Sequence, residues 1–302
     1  MEIKGTELRV GLYLADDFYE APRKAWRYNQ FFGKRIQILS FYIPWGRGNQ
    51  SPDLAGIQEV LKSGFIPMIT WEPWYCVQEL PEGIRPEDQP KFSLSEILRG
   101  KYDDYIWQWA VDLKEISTPI FFRPMHEMNG NWYPWGGKVN GNRPEDYVEA
   151  WAYIRSIFRK AGNDKLIWVW SPYVHSSPDE PGNEIWRYFP GTQEVDWLGL
   201  DGYNWGETQE WSRWQSFQEV FEKGYGHLTQ LAPEKPFMIG EVGCAEEGGD
   251  KSEWIEEAFG LLRGNFFQIK ALVWFNIKKE CDWRIESSKK SFISFRRNWS
   301  LC

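Results

Sequence analysis

The sequence predicts an α/β fold: a (β/α)8 barrel of the TIM class, built as one domain over residues 1–302. Three observations carry this expectation. Eight short apolar runs recur along the chain, amphipathic segments separate them, and each run is hydrophobic almost throughout. Strands buried on both faces of a parallel sheet have that character, whereas half-exposed strands alternate polar with apolar residues. A doubly wound open sheet is the competing arrangement, but no G-x-G-x-x-G follows the first run.

The first run, LRVGLYL (8–14), leads to a helical pattern at 22–32. RIQILSFY (35–42) leads to one at 53–63, where SPDLAGIQEV sets Ser-Pro before an acidic first turn. FIPMITW (65–71) precedes a segment at 93–116, reached through the long stretch WYCVQELPEGIRPEDQPKFS, which can wall or border a cleft. PIFFR (119–123) precedes 144–161, opened by the Arg-Pro of NRPEDYVEAW and closed by GNDK. LIWVW (166–170), VDWLGLD (195–201), KPFMIG (235–240) and ALVWFN (271–276) precede helical patterns at 183–188, 211–230, 251–263 and 286–296. β-Branched and aromatic residues dominate the runs, as strands favour. No linker, charge block or close repeat marks a domain boundary.

Composition excludes several functions. A net charge of −8 and a pI near 5.2 argue against a nucleic-acid partner. No run of about 18 apolar residues suggests a membrane span. Cys76, Cys244, Cys281 and Cys302 are widely spaced with no C-x-x-C pair, so free thiols are expected, with neither zinc nor disulfides. A monomer is expected. The opening MEIKGTELRV lacks the features of a secretory leader; the protein is cytoplasmic if Met1 is its native start. The 20 Trp, 14 Tyr and 19 Phe residues must be covered by core or by ligand. Flat rings suit the C–H faces of sugars, although an aromatic-rich core accounts for many of them.

In such a barrel the residues at the C-terminal ends of strands face the active-site mouth. Those positions hold Trp71-Glu72-Pro73-Trp74, Arg123 with His126-Glu127, Trp170 and Tyr173, Asp201 and Tyr203, Glu241, and Trp274. Glu127 and Glu241 stand out because they follow the fourth and seventh runs on opposite sides of the mouth. Two carboxyls flanking a bond are what glycoside hydrolysis needs. Glu127 is expected to be the acid, kept protonated by apolar surroundings and the second carboxylate, and Glu241 the ionised nucleophile. Tyr203 is expected to hydrogen-bond Glu241, with Arg123 either helping or acting as a structural clamp. His126 either donates to a sugar hydroxyl, positions Glu127 or fills space. HEMNG lacks the second histidine of a zinc protease motif, so no metal is expected.

RPMHEMNGNWYPWG, TWEPW, DWLGLDGYNWG and IGEVG together resemble glycoside hydrolase family 26, a group of retaining endo-β-glycanases on a (β/α)8 barrel. The resemblance implies Glu127 as acid/base and Glu241 as nucleophile, with no cofactor. It places Arg123 and His126 around the cleaved bond, Tyr203 beside the nucleophile and Trp274 beneath the sugar. Trp132, Tyr133 and Trp135 would line the cleft, and Trp71 would face it too. A polysaccharide or oligosaccharide is then the partner: mixed-linkage β-1,3-1,4-glucan, β-1,4-mannan or β-1,3-xylan. Some mannanase members carry an arginine where this chain has Phe275, and the tail WFNIKKECDWRIESS is closer to the mixed-linkage glucanases. A polymeric substrate implies an extracellular protein whose leader is absent from this chain. Two rivals remain at this point: a non-catalytic carbohydrate-binding barrel, and an exo-acting oligosaccharide hydrolase.

Overall fold

The computed structural model describes residues 7–46 and 51–302; the first six residues of the leader reading lie outside them. Eight parallel strands close into a barrel in chain order. They are β1 (Arg9–Tyr13), β2 (Ile38–Pro44), β3 (Ile66–Glu72), β4 (Phe121–Pro124), β5 (Ile167–Trp170), β6 (Trp197–Asn204), β7 (Phe237–Cys244) and β8 (Ile269–Phe275). Helices α1 (Glu20–Phe32), α2 (Leu54–Lys62), α3 (Leu94–Leu98), α4 (Asp103–Lys114), α5 (Pro144–Lys160), α6 (Phe217–Leu231), α7 (Lys251–Arg263) and α8 (Lys289–Trp299) follow or join them. All eight predicted runs are strands.

Two compact units make up the chain. One consists of Met68–Trp197 with the described part of Tyr42–Gln58. Within it Thr70 of β3 lies opposite Arg123 of β4, and Trp71 opposite Pro124. Side chains of a strand alternate between faces. Trp71 therefore turns toward the helices, where its ring meets Tyr105 and Trp109 of α4, and Phe122 meets Phe158 of α5. Thr70 and Arg123 take the interior face. The helix predicted over 93–116 is broken: α3 stops at Leu98 and α4 begins at Asp103, with Gly100 between them at φ +79°.

The other unit takes in Ile3–Phe41 as far as it is described, Glu59–Pro67 and Leu198–Cys302. Here β6 and β7 run three to four residues beyond their predicted ends, so Tyr203 and Glu241 lie within strands. Strand β7 also carries one extra residue. Leu200 pairs with Ile239 but Asp201 with Glu241, and on the other side Leu272 pairs with Ile239 and Trp274 with Val242. Gly240 is the bulged residue, and it changes which face Glu241 takes. Phe237 meets Tyr225 of α6, so strict alternation would send Ile239 and then Glu241 to that same helix side. The bulge turns Glu241 inward beside Asp201 and Tyr203. The segment predicted to start a helix at 211 remains loop until Phe217, where Ser216 and Glu219 form a reciprocal capping box.

Candidate active site

Glu127 sits three residues beyond β4 and is only 6% exposed. Its backbone is left-handed, φ 52°, as is that of Met125 at 48°. Such conformations cost non-glycine residues about 1–3 kcal/mol each and persist only where the surroundings impose them. Here the Glu127 N–H donates to the Ser171 carbonyl at 2.8 Å, the Met125 N–H to that of Trp71 at 3.0 Å, and the Tyr147 hydroxyl to that of Met125 at 3.2 Å. Three neighbouring elements thus pin the turn that carries the carboxylate.

The aromatic loop after the turn serves that carboxylate directly. Trp132 Nε1 donates to Glu127 Oε2 at 2.7 Å, a hydrogen bond that fixes the orientation of the carboxyl. Its indole lies flat on Gly130, where any Cβ would come within 2.4 Å of the ring. Tyr133 stacks on Trp135 at 4.4 Å and 11°, and the buried His126 ring packs against both. Trp135 is fully buried, with Nε1 on the His126 carbonyl at 2.7 Å. Asn129 locks the loop from below, exchanging bonds with the backbone of Tyr173 at 2.8 and 3.0 Å. Arg123, also fully buried, donates to Thr70 at 2.8 and 3.0 Å and to the Tyr42 hydroxyl at 3.3 Å.

In the second unit the Tyr203 hydroxyl donates to Glu241 Oε2 at 2.5 Å, and Glu241 is 5% exposed. Trp283, from the loop after β8, packs on Tyr203 at 5.0 Å and over Gly243, where a Cβ would meet both rings at 2.9 Å. That loop is tethered by Lys251 at the start of α7. Its buried ammonium donates to the carbonyls of Asp282 at 3.2 Å and Arg284 at 2.8 Å and to the Ser287 hydroxyl at 2.9 Å, and burial lowers its pKa.

Three expectations need correction. Trp135, beneath Tyr133, is 0% exposed and does not line the cleft. Trp71 and Trp274 offer no ring face to a sugar either: they are 0% and 1% exposed. Trp71 is packed among Trp45, Tyr105 and Trp109. Trp274 shares the helix-facing side of β8, against Trp254 of α7 and Phe295 of α8, with Nε1 on the Trp283 carbonyl at 2.8 Å. Both occupy the outward parity of their strands, which a position near a strand end does not reveal. Trp132 and Tyr133, by contrast, are half-exposed. Sequence reasoning missed Asn129, Lys251 and Trp283. Trp283 lies in the quoted tail, but nothing periodic distinguishes it there.

An eight-stranded barrel with glutamates at the C-terminal ends of β4 and β7, each held by a ring-borne donor, has the layout of a barrel glycoside hydrolase. Residues 90–246, just over half the chain, match the family described as Glycosyl hydrolase family 26, and the chain belongs to that family. It is 35% identical over 298 residues to Endoglucanase H of Acetivibrio thermocellus, covering 96% of this chain and 30% of that protein. It is 31% identical over 201 residues to a mannan endo-1,4-beta-mannosidase of Bacillus subtilis, covering 62% of this chain and 50% of the relative. The chain thus spans half or less of the length of these relatives. The catalytic domain of an endo-beta-1,4-mannanase from Bacillus sp. JAMB-750 shares the fold, with TM-score 0.69 at 18% identity over 97% of this chain and 86% of the other. Among the described residues no helix is long and apolar enough to cross a membrane.

Proposed function

We propose that residues 1–302 form one catalytic barrel that hydrolyses internal β-linkages of a hemicellulose with retention of configuration. Glu127 is the acid/base and Glu241 the nucleophile. The observation that supports this most directly is the provision made for each carboxylate: an indole N–H on Glu127 and a phenol O–H on Glu241. In the first step Glu127 gives its proton to the glycosidic oxygen as Glu241 attacks the anomeric carbon; the leaving sugar departs and a glycosyl ester remains. In the second step Glu127 takes a proton from water, whose oxygen attacks the same carbon and frees Glu241. Arg123, His126, Trp132, Tyr133 and Tyr203 surround the reacting sugar, while Trp135, Trp71 and Trp274 hold the walls. No cofactor enters.

Mixed-linkage β-glucan is the favoured substrate. The endoglucanase relative matches 96% of this chain and the mannosidase 62%, and Phe275 stands where some mannanases of the family carry arginine. A polymer of this kind is met outside the cell. Product sizing tests the reading: the parent, Glu127→Ala and Glu241→Ala are each incubated with mixed-linkage β-glucan and with β-1,4-mannan. Short oligosaccharides from the parent alone, released with the β-configuration, are the expected result. Single-sugar release would favour exo action, and no product from either polymer would sink the proposal.

A further inference from the structure

The ring system that backs Glu241 continues outward to solvent. Tyr203, the nucleophile's donor, packs on Trp283 at 5.0 Å; Trp283 meets Trp205 edge-on at 4.9 Å; and Trp205 meets Trp211 at 5.2 Å. Exposure grows along the series: Trp283 is 1% exposed, Trp205 half-buried and Trp211 71% exposed. Other large apolar side chains are also exposed on this protein, among them Trp186 at 57% and Phe267 at 65%. Trp211 differs from them in being joined, ring by ring, to the nucleophile.

The loop that presents Trp211 is rigidly built. Asn204 Oδ1 accepts the N–H groups of Gly206 at 3.1 Å and Gln215 at 3.0 Å, which closes the loop at its base. Ser212 Oγ donates to the Gly206 carbonyl at 2.8 Å, and Thr208 Oγ1 to that of Trp205 at 2.7 Å. The Glu207 N–H reaches the Glu247 carbonyl at 3.1 Å, and Trp214 is seated on Gly249. Gly206, at φ +55°, has the Glu247 carbonyl oxygen 1.9 Å from where a Cβ would lie, so only glycine makes this turn. A loop fixed in this way presents its indole with little backbone ordering left to do when a ligand arrives. An exposed indole face matches a pyranose, which is apolar on its C–H faces.

We propose that Trp211, supported by Trp205, forms a stacking subsite for a pyranose of the glycan chain beyond the residue held at Glu241. This rests on the endo-glycanase reading and extends it: only a polymeric or long oligomeric β-glycan reaches the subsite. The test compares the parent with Trp211→Ala, Trp211→Tyr and, as an exposed-tryptophan control, Trp186→Ala. Kinetics are measured on mixed-linkage β-glucan and on a short aryl β-glycoside, and affinity electrophoresis in the same glucan gives binding without turnover. Trp211→Ala is expected to raise KM for the polymer about tenfold, equivalent to 1.4 kcal/mol. Its kcat on the short substrate stays parental, its mobility shift weakens by a similar factor, and tyrosine restores most of both. Parental KM and mobility for Trp211→Ala on a parent that cuts glucan overturn the subsite and leave the activity standing. If the parent cuts β-1,4-mannan instead, the same comparison is made on mannan with the same two outcomes; a parent that neither cuts nor binds either polymer overturns both.

Discussion

Alanine at Gly130 tests whether the Trp132 indole governs Glu127. The backbone there is not left-handed, so what alanine meets first is the indole. Its Cβ would lie 2.4, 2.5 and 2.6 Å from three ring carbons. Ordinary contact begins near ~3.5 Å, so the ring must retreat by about 1 Å. The Trp132–Glu127 bond, 2.7 Å at present, then stretches beyond hydrogen-bonding range. A hydrogen bond to an uncharged carboxyl is worth about 0.5–1.5 kcal/mol net, which predicts a loss of about 2- to 12-fold in kcat/KM. Trp132→Phe removes the same donor without the clash and should lose the same factor. The double variant should lose little more, because both substitutions break one interaction. Thermal stability should fall by only about 1–2 °C, the worth of that one bond for a chain of this length. A Gly130→Ala enzyme with parental kcat/KM, or two losses that multiply in the double variant, would refute this account of Glu127.

Two further outcomes follow from the second unit. Lys251→Met removes a charged donor from two carbonyls and a hydroxyl, at a cost of about 3 kcal/mol. For a chain of this length that is a fall of about 5 °C in Tm. Because burial depresses the folded-state pKa below the usual 10.5, the unfolded chain binds more protons between the two values. The parent's advantage over the methionine variant should therefore grow as pH rises toward 10.5; a pH-independent gap in paired melts would count against this. Asp250 caps α7 through the N–H groups of Ser252 and Glu253, and Lys290 holds its pKa down at about 2. Asp250→Ala should cost about 1 kcal/mol at neutral pH. That difference is complete above 3.8 and fades as pH falls toward 2; denaturant titrations that show an equal gap at pH 7 and pH 2.5 would exclude it.

The barrel was legible because its signals are local. Eight apolar runs and their spacers follow from which residues can be buried on both faces, and Pro144 and the glycine-terminated helices mark their own ends. Glu127 stood out as a candidate for a similar reason, since it closely follows the fourth apolar run. What escaped depends on parity and on distant partners. Strand ends do not reveal which way a side chain points, and for Trp71 and Trp274 the answer rests on helices dozens of residues away or on the far end of the chain. The Gly240 bulge is invisible in KPFMIGEVG until both neighbouring strands are paired with it. Lys251 reads as an ordinary helix-start lysine, and only the folded loop shows three acceptors around its nitrogen.

The left-handed turn at Met125 and Glu127 bears on how such a chain can change over generations. Asparagine or glycine at position 127 would relax the backbone while removing the carboxylate, so under the proposed mechanism the substitutions that ease folding there are also those that end proton transfer. Drift toward stability at this turn is drift toward an inactive barrel that keeps its shape and its aromatic walls. The strain marks a place where selection for activity must act continuously, and a lineage released from that selection should lose catalysis at residue 127 before it loses the fold.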